Sequence, residues 1–217
     1  MVTCLQVANT PEFVEPIDRA TAVWFGGGRQ WRISDAYLNT AAQVAFERVL
    51  QRGGCIGGSS AGAAFQGDIM IRGNSVPNDL SILLDPDHLE GFAFATGVGF
   101  DPHHIPRGRL DDDIELGLTF PTHLGVGLDE NSAVILIGNT LEVVSPGNRA
   151  AGGGYVAIAD PTLWSRDELD LPFCGSGRTR VTGRPRLAMG GKVLLLMDGD
   201  RYDIRTREVL SLGTIDE

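Results

Sequence analysis

The stretch GGCIGGSSAGAAFQGDIMIRG, residues 53–73, decides the fold class of this chain. It places two adjacent serines, within a run of glycine and alanine, between a short apolar segment and a segment with helical character. Gly58-Ser59-Ser60-Ala61-Gly62 matches G-x-S-x-G, the nucleophile elbow, in which small neighbours let the chain turn sharply at the central serine. The pattern therefore predicts that Ser60 projects its hydroxyl from the carboxyl end of a strand, where open α/β sheets place their sites.

The flanking segments repeat the alternation of strand and helix. Thr21–Phe25 is short and apolar and stops at a glycine turn. Apolar residues then recur at helical spacing over Asp35–Arg52, with Ser34 as the candidate cap. A third short strand is predicted around Val98–Phe100, and a helix over Arg107–Leu118. This order favours parallel pairing in an α/β sheet.

The second half is richer in strands. From Leu124 onward, apolar segments are separated by glycine or asparagine turns: GVGLD, AVILIG, LEVVS, YVAIAD and KVLLLMDGDRYDI. We expect one domain over residues 1–217, large enough for a substantial core. The candidate flexible segment is Ser165–Arg186, which is polar and rich in glycine, proline and arginine.

The composition indicates which binding partners and which cellular compartment to expect. A net charge of −10 argues against nucleic acid, because phosphate binding needs a concentrated basic face. The three cysteines have no metal-type spacing, which favours a reducing compartment. No signal-peptide pattern is seen, and no apolar run approaches the roughly 20 residues that cross a bilayer. We therefore expect a cytoplasmic protein without a membrane or nucleic-acid partner.

A serine hydroxyl needs a base, and the base needs an orienting carboxylate. The chain has four histidines: His88, His103, His104 and His123. Only the adjacent pair follows a predicted strand end on the sheet edge of Ser60, so one of these two is the candidate base. The residues alone do not choose between them. Asp129-Glu130 ends a further strand and offers the carboxylate, and the Ala61 amide can donate to a developing oxyanion. Ser59 is the weaker nucleophile candidate.

Four segments in order carry a family resemblance: VWFGGGRQ (23–30), IGGSSAGAA (56–64), DPHHIPRGR (101–109) and GVGLDENSAV (125–134). They resemble peptidase family S51, the serine peptidases of the cyanophycinase and aspartyl dipeptidase group. MDGDRYDIRTREV (197–209) is similar to the last hairpin of that family. The resemblance implies a three-layer, mostly parallel sheet of the class I glutamine amidotransferase-like, flavodoxin-like type, with a β-rich C-terminal portion.

The resemblance also implies site residues. Ser60 matches the nucleophile, His103 the general base and Glu130 the orienting acid. The D-Q-H-F pattern of the family selects His103 over His104. The glycine turn Gly27-Gly28 matches the source of a second oxyanion amide, beside that of Ala61. Positions in the family that line the substrate site match Gln30, Asp101, Arg107 and Arg109.

Some residues depart from the family pattern. Arg29 stands where the family has an aspartate, and Pro102 replaces a glutamine. After Arg109, where cyanophycinases carry further basic residues, this chain has Asp111-Asp112-Asp113. These departures weigh against a polymer of alternating carboxylate and arginine groups as the substrate.

The expected function is a serine hydrolase that cleaves small peptide or isopeptide bonds next to aspartate through an acyl-enzyme, without metal or cofactor. The alternatives are an esterase with the same triad and a non-catalytic binding protein on the same scaffold. Relatives begin with a further strand-helix unit, whereas only about twenty residues precede the first matching segment here. Val2–Ala8 as a strand, a partner chain on the exposed edge, or a shortened gene would each account for this difference, and the exposed edge favours a homodimer.

Overall fold

The computed structural model describes residues 4–75, 83–104, 106–146, 154–164, 186–188 and 193–213. The chain forms two compact units, residues 1–96 and 97–217. The single domain expected over residues 1–217 stays a prediction. The predicted flexible segment Ser165–Arg186 lies outside the described residues except at its last position.

The first unit alternates short helices and strands. Its elements are α1 (Cys4–Val7), α2 (Pro11–Arg19), β1 (Ala22–Phe25), α3 (Gln30–Tyr37), α4 (Ala41–Gln51), β2 (Cys55–Gly58), α5 (Ala61–Ala64), β3 (Gly67–Ile69) and a 3₁₀ helix (Pro86–His88). Strands β1 and β2 pair in parallel, from Ala22 opposite Cys55 to Phe25 opposite Gly58. The predicted strand, turn and helix around Ser60 are therefore present.

An aromatic cluster holds the ends of β1 and α5 together in this unit. The Phe25 and Phe65 rings meet edge to face with centroids 4.6 Å apart, and Phe65 and Phe92 do so at 4.7 Å. Phe46 completes the cluster beside Phe25, at 5.0 Å. Burial of such rings is a large favourable contribution. It fixes the turn after β2 against the end of β1.

The prediction of one helix over Asp35–Arg52 is wrong, because the chain breaks between α3 and α4. Asn39 adopts φ 59°, a left-handed conformation that asparagine tolerates. The Thr40 side chain then caps α4 by accepting from the Gln43 amide. Ser34 is not a cap but lies inside α3, where its hydroxyl donates to the Glu90 carbonyl at 3.2 Å.

The proposed strand over Val2–Ala8 is also wrong where the structure describes it. Residues Cys4–Val7 form helix α1, and the buried Ala8 follows it. The Ala8 carbonyl accepts a hydrogen bond from the Ala42 amide at the start of α4. The described residues Cys4–Val7 therefore form a helix of the first unit and not a strand.

The second unit contains most of β4 and two sheets. Its elements are β4 (Ala95–Pro102), α6 (Leu110–Thr119), β5 (Leu124–Leu128), β6 (Ala133–Ile137), β7 (Thr140–Val144), β8 (Val156–Ala159), a 3₁₀ helix (Pro161–Leu163), β9 (Arg186–Ala188), β10 (Val193–Leu196), β11 (Arg201–Asp203) and β12 (Glu208–Ser211). Strands β4 and β5 are parallel, while β8, β10 and β9 extend this sheet in antiparallel fashion. A four-stranded antiparallel sheet has the order β12-β11-β7-β6.

The predicted α/β fold with a β-rich C-terminal portion is confirmed. The parallel pairs lie where strand and helix alternate along the chain, and the antiparallel strands follow Leu124, where short turns replace helices. The core of the second unit lies under α6 and is formed by Ile114, Ala157, Ala159, Trp164, Val193 and Leu195. Within the described ranges, no helix has the length and apolar character to span a membrane.

Candidate active site

Ser60 occupies the sharp turn between β2 and α5. Its backbone has φ 55° and ψ −120°, a combination that residues with a side chain rarely adopt. The amide of the preceding Ser59 donates to the Phe25 carbonyl at 3.1 Å, which ties the turn to the end of β1. Such backbone strain at a serine between strand and helix is the geometry expected of a nucleophile elbow.

The two glycines of the pentapeptide are required by close backbone approach. A Cβ on Gly58 would lie 2.1 Å from the Gly62 carbonyl oxygen. A Cβ on Gly62 would lie 2.1 Å from the Phe25 carbonyl oxygen. Neither contact is sterically possible, and backbone atoms cannot move aside as a flexible side chain can. The G-x-S-x-G spacing is therefore a packing requirement of this turn.

The glycine turn after β1 lies beside the serine. A Cβ on Gly27 would be 3.3 Å from the Ser60 Cβ and 3.7 Å from its Oγ. Gly28 follows with φ 143°. Ala61 is buried and is the first residue of α5, so its amide N–H has no acceptor within the helix. The structure thus brings three predicted residues, Ser60, Gly27 and Ala61, together in the first unit.

Gln30 lies at the start of α3, one residue after the Arg29 cap position. Its side-chain amide donates to the Ile71 carbonyl at 2.9 Å. The contact fixes one end of this half-buried side chain within the first unit.

In the second unit, His103 and Glu130 form the predicted pair. His103 Nδ1 lies 2.5 Å from Glu130 Oε1. His103 follows β4 and Glu130 follows β5 by two residues, and these parallel strands end side by side, with Pro102 opposite Leu128. A carboxylate on Nδ1 orients the imidazole and leaves Nε2 for proton transfer. The side chains are 23% and 51% exposed, so the pair is open to solvent.

The backbone around His103 is held by neighbouring groups. His103 itself has φ 63°, and the amide of His104 donates to the Leu128 carbonyl at 3.1 Å. The Arg109 guanidinium donates to Asp101 Oδ1 at 2.8 Å and to the Pro102 carbonyl at 2.9 Å. These bonds link the loop after β4 to β5 and to the end of β4.

His104 differs from its neighbour in being enclosed, with 1% of its side chain exposed. Its ring packs on β5, since a Cβ on Gly127 would lie 2.5 Å from three of its ring carbons. His104 Nε2 lies 2.7 Å from Oδ2 of Asp113, on α6. The structure therefore separates the two histidines that the residues alone left equivalent, with His103 beside Glu130 and His104 beside Asp113.

The enclosed groups have shifted pKa values. Burial and the nearby Asp113 carboxylate raise the pKa of Asp101 to about 8, against the opposing attraction of Arg109. Burial also raises the pKa of Asp113. For His104, burial lowers the pKa, but the attraction of Asp113 and of two further carboxylates outweighs it and leaves the pKa above its ordinary value.

Comparison with known protein families gives a match that includes the four segments at residues 23–30, 56–64, 101–109 and 125–134. The sequence model of peptidase family S51 matches residues 2–144. The chain belongs to peptidase family S51.

This S51 chain is 30% identical over 207 residues to a cyanophycinase from Synechococcus elongatus, an alignment that covers 93% of the chain and 58% of the relative. It is 27% identical to a cyanophycinase from Geminocystis herdmanii, with 92% and 68% covered. The crystal structure of a peptidase from an acI-B1 Actinobacterium superposes with a TM-score of 0.55 at 25% identity, covering 72% of this chain and 60% of that one. The chain thus spans less than two thirds of the length of the first of these relatives.

Among the predicted substrate-site residues of this S51 chain, exposure differs. Arg107 is exposed, whereas Asp101 and Arg109 are buried and bond to each other. Their contact with a substrate stays a prediction, but their pairing favours a supporting role. Sequence reasoning missed the His104 and Asp113 contact. The sequence feature that could have indicated this contact is the run Asp111-Asp112-Asp113 at the start of α6, because its last residue, Asp113, is buried.

Proposed function

We propose that this S51 chain is a serine hydrolase with Ser60 as nucleophile, His103 as general base and Glu130 as orienting acid. The observation that carries the proposal is the strained backbone of Ser60 in the turn between β2 and α5. The 2.5 Å contact between His103 and Glu130 supports it, because it supplies an oriented imidazole. The names of the relatives, cyanophycinase and peptidase, support the class of reaction.

In the proposed reaction, His103 Nε2 removes the Ser60 proton as Oγ attacks the substrate carbonyl carbon. The developing oxyanion accepts hydrogen bonds from the Ala61 amide and from the Gly27-Gly28 turn. His103 then returns the proton to the leaving amine as the carbon–nitrogen bond breaks. Water, deprotonated by the same imidazole, hydrolyses the acyl-enzyme and restores Ser60.

For the substrate, we propose a small peptide or isopeptide whose scissile bond adjoins aspartate. Arg107 is the candidate partner of the substrate carboxylate, because it is exposed and its planar fork can hold a carboxylate by two hydrogen bonds. Gln30 is a second candidate contact. Asp101 and Arg109 support the loop that carries Arg107.

We also propose a cytoplasmic homodimer. The cysteine content without metal-type spacing supports the compartment. Trp24 supports an interface at β1, because it is 71% exposed on that strand.

A fluorophosphonate probe tests the nucleophile, since it labels only an activated serine. Wild type and Ser59→Ala are expected to be labelled, and Ser60→Ala is expected to lose labelling entirely. Ser59 is the matched control because it is the adjacent, exposed serine of the same turn. Labelling of Ser60→Ala at the wild-type rate would refute the assignment, and an unlabelled wild type would favour a binding protein. Hydrolysis of an aspartyl dipeptide identifies a peptidase, whereas hydrolysis of a matched ester without any hydrolysis of the dipeptide identifies an esterase.

A further inference from the structure

Three buried side chains of the second unit converge behind the loop that carries His103. Asp101 comes from the end of β4, His104 from the loop after it and Asp113 from α6. One ligand atom of each lies within 4.8 Å of those of the other two. Asp113 is fully enclosed, with 0% of its side chain exposed, and the other two are buried as well. An imidazole and two carboxylates are thus gathered away from water.

Two carboxylate oxygens of this cluster have no hydrogen bond within the described part of the chain. They are Asp101 Oδ2 and Asp113 Oδ1. The other two ligand atoms, His104 Nε2 and Asp113 Oδ2, contact each other at 2.7 Å. Buried polar atoms are nearly always paired, because leaving one without a partner costs about 1–3 kcal/mol. The two carboxylate oxygens without a hydrogen bond therefore point to a ligand that binds them.

The charges around the cluster indicate what that ligand is. Asp101, Asp112 and Asp113 are buried carboxylates. Within the described residues, Arg109 lies beside Asp101 and Asp112, and His104 lies beside Asp113. A metal ion binds ionised carboxylates and a neutral imidazole, so Asp101 and Asp113 would supply two negative charges to the ion. Unbalanced buried charge is strongly unfavourable. A divalent cation balances this sum.

We propose that Asp101, His104 and Asp113 bind one divalent metal ion of the zinc type. A neutral imidazole with carboxylates is a donor set that Zn²⁺ accepts. Arg109 would orient the Asp101 carboxylate, since it donates to Oδ1 and leaves Oδ2 without a hydrogen bond. The ion joins the end of β4, its following loop and α6. Its role is structural, and it takes no part in the proposed acyl transfer.

Isothermal titration of the chelator-stripped chain of residues 1–217 with Zn²⁺ tests the site. Wild type is expected to bind one ion at micromolar affinity or tighter, whereas Asp113→Asn weakens this binding at least about tenfold. Asp111→Asn is the matched control, because Asp111 lies on the same first turn of α6 but outside the cluster. Zn²⁺ should raise the melting temperature of wild type and Asp111→Asn, but not that of Asp113→Asn.

A second variant, His104→Gln, keeps the test decisive if Asp113→Asn does not fold, since it removes the imidazole ligand without changing a carboxylate. It should also lose the ion, and visible absorption of Co²⁺ bound to wild type but not to this variant would support imidazole ligation. Failure of wild type to bind, or equal binding by wild type and both variants, would overturn the proposal. None of these readouts depends on hydrolase activity.

Discussion

At the scale of single residues, the serine turn requires glycines, because there is no room for a side chain at their positions. The backbone at Ser60 doubles back so tightly that Gly62 approaches the Phe25 carbonyl and Gly58 approaches Gly62. By contrast, Gly26, in the neighbouring glycine turn, has nothing within 4 Å of an added Cβ and has no positive φ. Gly62 and Gly26 therefore tolerate substitution very differently, although both lie in glycine-rich turns.

Gly62→Ala is expected to destabilise the protein, whereas Gly26→Ala leaves stability nearly unchanged. The added Cβ at position 62 would sit 2.1 Å from a carbonyl oxygen, so the backbone must shift. Overpacking of this kind costs about 1–3 kcal/mol. Thermal denaturation followed by circular dichroism should show a melting temperature several degrees lower for Gly62→Ala alone. Equal melting temperatures of the two variants would show that the turn is not as tight as described.

At the scale of secondary-structure elements, local patterns could be predicted and tertiary pairing could not. The strand, glycine turn and helix around Ser60 follow from nearest-neighbour chemistry, and the sequence predicted them. The break at Asn39 was missed, because apolar periodicity continues across it and only the cap at Thr40 marks it. The contact between His104 and Asp113 depends on how α6 packs against β5, which no local pattern contains.

The turn between β11 and β12 offers a pH-dependent element. The Asp203 carboxylate accepts hydrogen bonds from the Thr206 and Arg205 amides, both at 2.8 Å. These two hydrogen bonds lower the pKa of Asp203 below its ordinary value, and the bond from the Thr206 amide has the larger effect. An acid with a lowered pKa in the folded state stabilises that state above its unfolded pKa, and this contribution is lost as the pH falls through the folded value.

Asp203→Asn is therefore expected to be less stable than wild type at neutral pH, with the difference shrinking below about pH 4. Urea denaturation at several pH values measures the difference, and NMR titration of the carboxyl carbon checks the lowered pKa. A difference that stays constant from neutral to acid pH would contradict the assigned hydrogen bonds. Glu208→Gln serves as the control, because Glu208 is an exposed acid on the adjacent β12.

At the scale of the whole molecule, the proposed catalytic groups come from both compact units. Ser60 belongs to the first, and the paired His103 and Glu130 belong to the second. If the three groups act in one reaction, removing any one of them should abolish the same step. Groups that contribute independently would instead show effects that multiply.

Ser60→Ala, His103→Ala and the double variant are accordingly expected to have the same residual kcat/KM, each at least about 10³-fold below wild type. The reason is that a base has nothing to activate once the nucleophile is gone. Steady-state kinetics on an aspartyl dipeptide measure this, with unchanged melting temperatures as the check on folding. A double variant much slower than either single variant would show that the two residues do not act together.

The neighbouring histidines at the end of β4 have a consequence for how the protein tolerates change. One imidazole is open to solvent beside Glu130, and the next is enclosed beside Asp113. The two adjacent histidines are therefore not interchangeable, because each ring contacts a different carboxylate. If one imidazole is lost by mutation, the neighbouring histidine cannot replace it.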